Sequence, residues 1–332
     1  MPGRLNERSV IAMIKEMQPP SPRGVLGIGD DAAFVPRAEQ GWLLSQDMLV
    51  EDIHFRKRWA TPEQIGAKAA EVNLSDMAAM GATARFALTS IAIAPDTPLN
   101  WIRRLYRGVQ AAFSPRGVVI LGGDTVASPD KLVLDVVILG TPSQTGPVLR
   151  RGARVGDRLL VSGTLGDSHA GLVLLERRHG RMTSSQSDAP LLRAHLEPKA
   201  QVELGVGVAP LVHAMTDISD GLAQELVEVI EVSGLGADIW LDSLPTSPAM
   251  RALAERLGED AIRWAVFGGE DYQLLMAVDP SHVPHICTMS RQWGIDVTEI
   301  GVVTSKGGVR WIKNEEPVEM RGEGLAFEHF AH

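Results

Sequence analysis

The chain has 332 residues, room for about two domains, and a formal net charge of −9, which suits a nucleic-acid backbone poorly because that partner demands a basic face. Hydrophobic residues at 45% and charged residues at 22% exclude global disorder, and aromatics at 5% argue against stacking platforms for single strands. Cys287 is the only cysteine, which excludes an intrachain disulfide and a multi-cysteine zinc site.

Residues 1–7 reach Arg4 and Glu7 with no apolar run behind them, unlike a secretory signal. No stretch approaches the roughly 18 apolar residues that a membrane span needs. The expectation is a cytoplasmic enzyme with neither membrane nor nucleic acid as partner. Residues 9–17 (SVIAMIKEM) predict a short amphipathic helix, stopped by Pro19 and Pro20. A Pro- and Gly-rich loop then leads to Gly27-Ile28-Gly29-Asp30-Asp31. Residues 42–45 read as a strand. Thr61-Pro62-Glu63-Gln64 is a helix start, with Thr as N-cap, Pro in the first turn and Gln three residues after the cap. That helix is expected to run to Gly81, and its many alanines predict close packing. Strands follow at 86–93, at 118–121 (closed by Gly122-Gly123-Asp124) and at 132–139, with a helix at 99–113.

Residues 141–157 are polar, Gly- and Pro-rich and carry neither period, so a boundary is placed there, giving domains at 1–140 and 141–332. In the second domain strands are expected at 158–162, 237–241, 272–278, 296–303 and 309–312, and helices at 199–215 and 221–233. Residues 181–190 (RMTSSQSDAP) read as a mobile surface loop.

Chemistry is suggested by acids at turns and helix starts: Asp30-Asp31, Asp47 with Asp52, Asp76, Asp124, Asp217 with Asp220, and Glu270-Asp271. Several adjoin glycines, which let a ligand approach the backbone. Each alone is matched by a solvated turn residue or an N-cap; Asp217 and Asp220 could simply cap the helix that follows. Together they recur through both domains. Two like charges about 4 Å apart repel by roughly 4 kcal/mol near a protein surface. Convergence would therefore require a cation, and hard oxygen ligands suit Mg²⁺ or Ca²⁺ more than zinc.

Other motif readings fail. Gly27-x-Gly29-x-x-Ala32 has the Rossmann pattern, but Asp30 and Asp31 would repel a pyrophosphate. The sequence has no P-loop, no protein-kinase His-Arg-Asp or Asp-Phe-Gly, no H-E-x-x-H and no G-x-S-x-G. A lone His such as His54 reads first as structural, and the Arg150-Arg151 pair reads as a solvated pair ahead of a phosphate clamp. Lys68 and Lys199 read as surface residues, Met77 and Met80 as core, and Cys287 as a small buried hydrophobe.

The strings GIGDDAA (27–33), SQDMLVEDIHF (45–55), AEVNLSDMAAMGA (70–82), LGGDT (121–125), TDISDGL (216–222) and GGEDYQL (268–274) together resemble the thiamine-monophosphate kinase family, of the aminoimidazole ribonucleotide synthetase-like superfamily. The resemblance covers residues 5 to 330. It implies ATP-dependent phosphorylation of thiamine monophosphate to thiamine diphosphate, the last step of thiamine diphosphate biosynthesis, by direct in-line transfer with several Mg²⁺ ions. It implies an α+β, two-domain fold. The N-terminal α/β domain would bind ATP and Mg²⁺ and pair its sheet with a second subunit in a homodimer; the C-terminal α/β sandwich would complete the site. Carried over by position, Asp31, Ser45, Gln46, Asp47, Asp76, Asp124, Asp217 and Asp220 are expected at the metals, with Asp31, Asp124 and Asp217 supporting transfer. Gly123, Asp124, Arg150 and Ser219 are expected at ATP, and His54, Glu270 and Phe327 at thiamine monophosphate. Gln46 departs from the family's common Thr, so a backbone carbonyl ligand would survive there and a hydroxyl ligand would not. At Phe327, where Tyr or Trp also appears, stacking survives and a hydroxyl hydrogen bond does not. A different ATP-dependent ligase or synthetase of the superfamily, and a non-enzymatic Mg²⁺/nucleotide regulator, are the competing functions.

Overall fold

A computed structural model describes residues 24, 30, 33–35, 41–95, 97–177 and 186–322. The helix expected at 9–17, Asp31, Phe327 and residues 181–185 of the expected loop lie outside the described residues.

Strand β1 (Ala33–Val35) pairs antiparallel with β2 (Trp42–Val50). β2 is longer than its predicted first four residues, because alternation continues through polar positions: Leu43 and Leu49 are buried with Ser45 and Asp47 between them on the same face. Helix α1 (Pro62–Ala79) starts as predicted. Thr61 Oγ1 accepts from Gln64 N at 3.2 Å while Thr61 N donates to Gln64 Oε1 at 2.8 Å, closing a capping box. It ends just before Gly81, whose φ of +61° suits the residue after a helix cap.

β3 (Thr83–Ile93), α2 (Leu99–Phe113), β4 (Val119–Ala127) and β5 (Val133–Thr141) complete the first half. The sheet order is β1-β2-β5-β3-β4, with β3 and β4 parallel. Two expectations are corrected. β4 does not close at Gly122-Gly123-Asp124 but runs through it to Ala127, because β3 supplies a parallel partner along the whole segment. The few charges in residues 86–93 (FALTSIAI) suggest an edge for a second subunit to cover, but that strand lies inside the sheet and β4 is at its edge.

No helix or strand occupies the interval between Thr141 and Arg158. Beyond it come β6 (Arg158–Ser162), α3 (Asp167–Arg177), α4 (Ala189–Leu196), α5 (Val202–Val208), β7 (Val212–Asp217), α6 (Leu222–Ser233), β8 (Gly236–Trp240), α7 (Pro248–Leu257), α8 (Ala261–Phe267), β9 (Leu274–Val278), α9 (Val283–Ser290), β10 (Val297–Thr304), β11 (Gly308–Lys313) and β12 (Glu316–Val318). The second sheet has the order β12-β11-β8-β10-β6-β9-β7. The helix predicted over 199–215 is corrected to α5, a 3₁₀ turn at Ala209–Leu211, and β7. Pro210 cannot continue an α-helix, and β7 finds a ladder partner in β9. Of the loop expected at 181–190, residues 186–188 form a turn and α4 begins at Ala189.

α1 sits between the halves. It packs on β2, β3 and β5 on one side and on α5 and β7 on the other. One apolar cluster therefore runs from Leu43, Leu134 and Ile138 through Leu74 and Met77 to Leu204, Met215 and Met276. Met77 and Met80 are core, as expected.

Candidate active site

The C-terminal turns of α1 gather the acids of both halves. Ser45 Oγ, on β2, donates to Asp76 Oδ2. Asp47, two residues on and so on the same face, donates through its backbone N–H to Asn73 Oδ1 at 3.2 Å. From the other half, Asp217 ends β7, is buried, and accepts from Ser75 Oγ at 2.5 Å. Asp220 opens the next turn and accepts from Gln224 Nε2 at 2.8 Å.

The loop after β7 is zipped to the segment before β9. Glu270 N–H donates to Ser219 O at 2.6 Å, Tyr272 N–H to Ile218 O at 2.9 Å, and Ile218 N–H to Gln273 O at 2.7 Å. The buried phenol of Tyr272 is held well above its ordinary value, first by burial and then by the negative charge of Glu270, Asp47, Asp217 and Asp220. Negative charge from Asp47 in one half and from Asp217, Asp220 and Glu270 in the other thus acts on one phenol.

Glu270 meets a cation that the sequence reading placed on the surface. Lys68 is 4% exposed, and its Nζ lies 2.7 Å from Glu270 Oε1 and donates to His54 O at 3.3 Å. Lys199, by contrast, is exposed as expected, though it pairs with Glu71 at 3.2 Å. His54 itself caps the turn after β2, its Nδ1 accepting from Val50 N at 3.0 Å. His195 Nδ1 stands 3.3 Å from Glu270 Oε2 and 3.2 Å from Ser168 Oγ. Burial, then the positive charge of Lys68, brings the His195 imidazole down to about 3, so it is neutral. Burial pushes Glu270 up, but the positive charge of Lys68 and its hydrogen bond outweigh this and leave the carboxyl below the ordinary range. The neighbouring Asp271 is pushed up to about 8 by burial, despite accepting from Gly166 N at 2.6 Å and Ser168 N at 3.3 Å. A cavity of about 430 Å³ is lined by Arg56, Arg58, Trp59 and Glu176, none of them a member of this cluster. Arg56 lies 4.0 Å over the Trp59 ring, and its charge reaches His195.

Gln46 and Asp124 stand apart from these acids, on the other face of the first sheet. Gln46 points to the opposite sheet face from Ser45 and Asp47, where its Nε2 donates to Asp135 Oδ1 at 2.9 Å. Strand register sets Asp124 opposite Ser90, which is opposite Asp135, so Asp124 shares that other face. Asp124 is therefore an exposed residue inside an edge strand and not the end of a strand beside the cluster. Gly123 has φ +152°, and a Cβ there would stand 1.7 Å from Thr89 O, so this crossing of β3 and β4 admits only glycine. Arg150 donates through its N–H to Asp30 Oδ1 at 3.1 Å and through its guanidinium to Glu228. Ser219 Oγ donates to Glu225 at 3.4 Å. Cys287 is half-buried and not fully enclosed.

The sequence reading missed Lys68, Asn73, Ser75, His195 and Tyr272. One signal was available: Lys68 and Ser75 are seven residues apart on one helix, hence on one face, beside Asp76. Nothing in the sequence links His195 to Glu270.

The donors around α1 are hard oxygens, carboxylates plus the Ser45 hydroxyl, and this chemistry fits Mg²⁺. Among the described residues no three His, Cys, Asp or Glu side chains close on one point.

Two sheets joined through a shared central helix, with acids of both halves around it, define the class. The family models for the AIR synthase related protein match here, the N-terminal domain over residues 29–141 and the C-terminal domain over 154–313. Within that class the relatives are specific. A thiamine-monophosphate kinase of Aquifex aeolicus (strain VF5) is 35% identical over 284 residues, covering 85% of this chain and 88% of its own. That of Bacillus subtilis (strain 168) is 33% identical, covering 92% and 93%. A solved structure described as AaThiL complexed with AMPPCP and TMP superimposes with a TM-score of 0.84 at 33% identity, covering 98% of this chain and 97% of that one. The chain belongs to the thiamine-monophosphate kinase family.

Proposed function

We propose that this chain transfers the γ-phosphoryl group of ATP to the terminal phosphate of thiamine monophosphate. An acceptor phosphate oxygen bonds to the γ-phosphorus, the bond from that phosphorus to the β–γ bridging oxygen breaks, and ADP and thiamine diphosphate leave. The observation that carries this reading is the likeness, over nearly the whole chain, to a kinase structure holding an ATP analogue and TMP.

The chemistry asks little covalent work of the protein. The second pKa of a phosphate monoester is about 6, so the acceptor is ionised near pH 7 and needs no strong general base. Phosphoryl transfer is chiefly a matter of positioning and charge stabilisation. Asp47, Asp76, Asp217 and Asp220 would hold Mg²⁺, with Asp31, Ser45 and the backbone carbonyl of Gln46 as further ligands, and Asp124, on the other sheet face, would serve a separate one of the several ions. The metal would screen and neutralise the phosphates of both substrates. Gly123, Arg150 and Ser219 would bind ATP; His54, Glu270 and Phe327 would line the acceptor site. A tight His195–Glu270–Lys68 arrangement with neutral His195 supports an anchoring role for Glu270 and speaks against a base at this point. In this reading residues 1–140 bind ATP and Mg²⁺ and dimerise, residues 141–332 complete the site, and the enzyme is a cytoplasmic homodimer without nucleic-acid or membrane partners. No helix among the described residues is long and apolar enough to cross a membrane.

The test is metal dependence of turnover. Activity with ATP and thiamine monophosphate is expected to vanish in EDTA and return with Mg²⁺, with Ca²⁺ substituting poorly because its coordination is looser. Full turnover in EDTA contradicts the reading.

A further inference from the structure

Lys68 belongs to α1, in the half that carries His54, whereas Glu270 lies between α8 and β9 in the other half. Its ammonium is almost fully enclosed, and enclosing an ammonium is costly unless a partner with good geometry repays the lost hydration. Two groups meet it: the Glu270 carboxylate at 2.7 Å and the His54 carbonyl at 3.3 Å. These are the two described residues assigned to the acceptor.

Glu270 needs such an anchor. Its φ is +64° and that of Tyr272 is +50°, left-handed backbone that a residue with a side chain adopts only when its surroundings hold it there. Backbone hydrogen bonds to Ser219 and Ile218 hold the chain. Lys68 and His195 hold the side chain, one at each carboxylate oxygen. Of the groups that oppose burial and keep the Glu270 carboxylate charged, Lys68, 2.7 Å away, comes first.

We propose that Lys68 is a positioning residue for the acceptor: it locks the Glu270 carboxylate and the His54 turn into one unit across the two halves, so that they meet thiamine monophosphate together. This rests on the reading of His54 and Glu270 as acceptor contacts. Lys68 sets acceptor affinity and leaves ATP binding nearly untouched.

The experiment compares Lys68→Met, Glu270→Gln and the double variant, each in the full chain with Mg²⁺, reading kcat, both KM values and thermal unfolding. Lys68→Met is expected to raise KM for thiamine monophosphate at least about tenfold, the scale of stranding one partner of a buried charge pair. KM for ATP is expected to stay within about twofold. Because Lys68 acts through Glu270, the double variant is expected to match Glu270→Gln in acceptor KM and to melt above Lys68→Met, having no stranded carboxylate. Should Lys68→Met not fold, the comparison of the double variant with Glu270→Gln carries the test alone: equal acceptor KM supports the proposal, and a further rise overturns it. An acceptor KM unchanged in Lys68→Met but raised in Glu270→Gln refutes the role of Lys68 and leaves the acceptor site standing. Equal rises for both substrates reduce Lys68 to a structural residue and overturn the proposal. An acceptor KM unchanged in Glu270→Gln removes the acceptor reading itself, and the proposal falls with it.

Discussion

Asp124 tests whether an acid beside two glycines holds a metal or merely shapes the chain. Its Oδ1 accepts from Thr125 N at 2.8 Å, a local bond that a purely structural aspartate would also make. It is exposed, and shares its sheet face with Gln46 and Asp135, so the empty chain gains little by keeping its charge. Asp124→Asn keeps size and removes charge. As a metal ligand near the phosphates it would act when charge builds up in transfer, and kcat is expected to fall at least about 100-fold, the scale of one preorganised electrostatic contact. The melting temperature without ligands is expected to hold or rise slightly. A structural Asp124 gives the reverse, near-normal turnover and about 1 kcal/mol of lost stability, as for a removed cap. Steady-state kinetics and calorimetry on one variant separate the two.

The crossing of α1 and α2 shows what an element-scale contact demands. Gly66 and Gly108 let the two helices approach until a Cβ at Gly66 would stand 1.9 Å from Leu105 O and one at Gly108 1.9 Å from Glu63 O. Ala would raise intrinsic helix propensity by about 1 kcal/mol at either position. Overpacking against a backbone carbonyl is expected to outweigh that, so Gly66→Ala should lower stability by about 1–3 kcal/mol in denaturant melts; a more stable variant would contradict the crossing. The close packing was legible in the alanine-rich helix, as were its capping box and both its ends, because local chemistry sets them. The whole of α2 was legible for the same reason. What failed was decided by distant partners. The apolar run from Val212 could extend a helix or pair as β7, and β9 decides that. Gly122-Gly123 looks like the end of a strand until β3 lies alongside. In the site, the acids announced themselves through their recurrence along the chain, although Asp47 and Asp124 prove to lie inside strands and Asp76 inside α1 rather than at turns or helix starts; the burial of Lys68 depends on a carboxylate about two hundred residues away in sequence, which no local pattern encodes.

At the scale of the molecule, the described residues leave the long strand β4 as an open edge of the first sheet. β4 pairs with β3 alone, and Val119, Leu121 and Val126 on it are 53%, 61% and 51% exposed. Soluble proteins guard such edges with charge, proline or a covering element. In the proposed homodimer a second copy covers this edge, so light scattering should give about twice the 35.8 kDa chain mass. Leu121→Glu should give a monomer, and an unaltered mass in that variant would place the interface elsewhere. The central claim is the transfer itself, and product analysis tests it most directly. The purified protein, Mg²⁺, thiamine monophosphate and γ-labelled ATP are separated by chromatography after turnover. The account predicts thiamine diphosphate carrying the label in its terminal phosphate, equimolar with ADP, and no label on the protein. Label released as inorganic phosphate with thiamine monophosphate unchanged would contradict it.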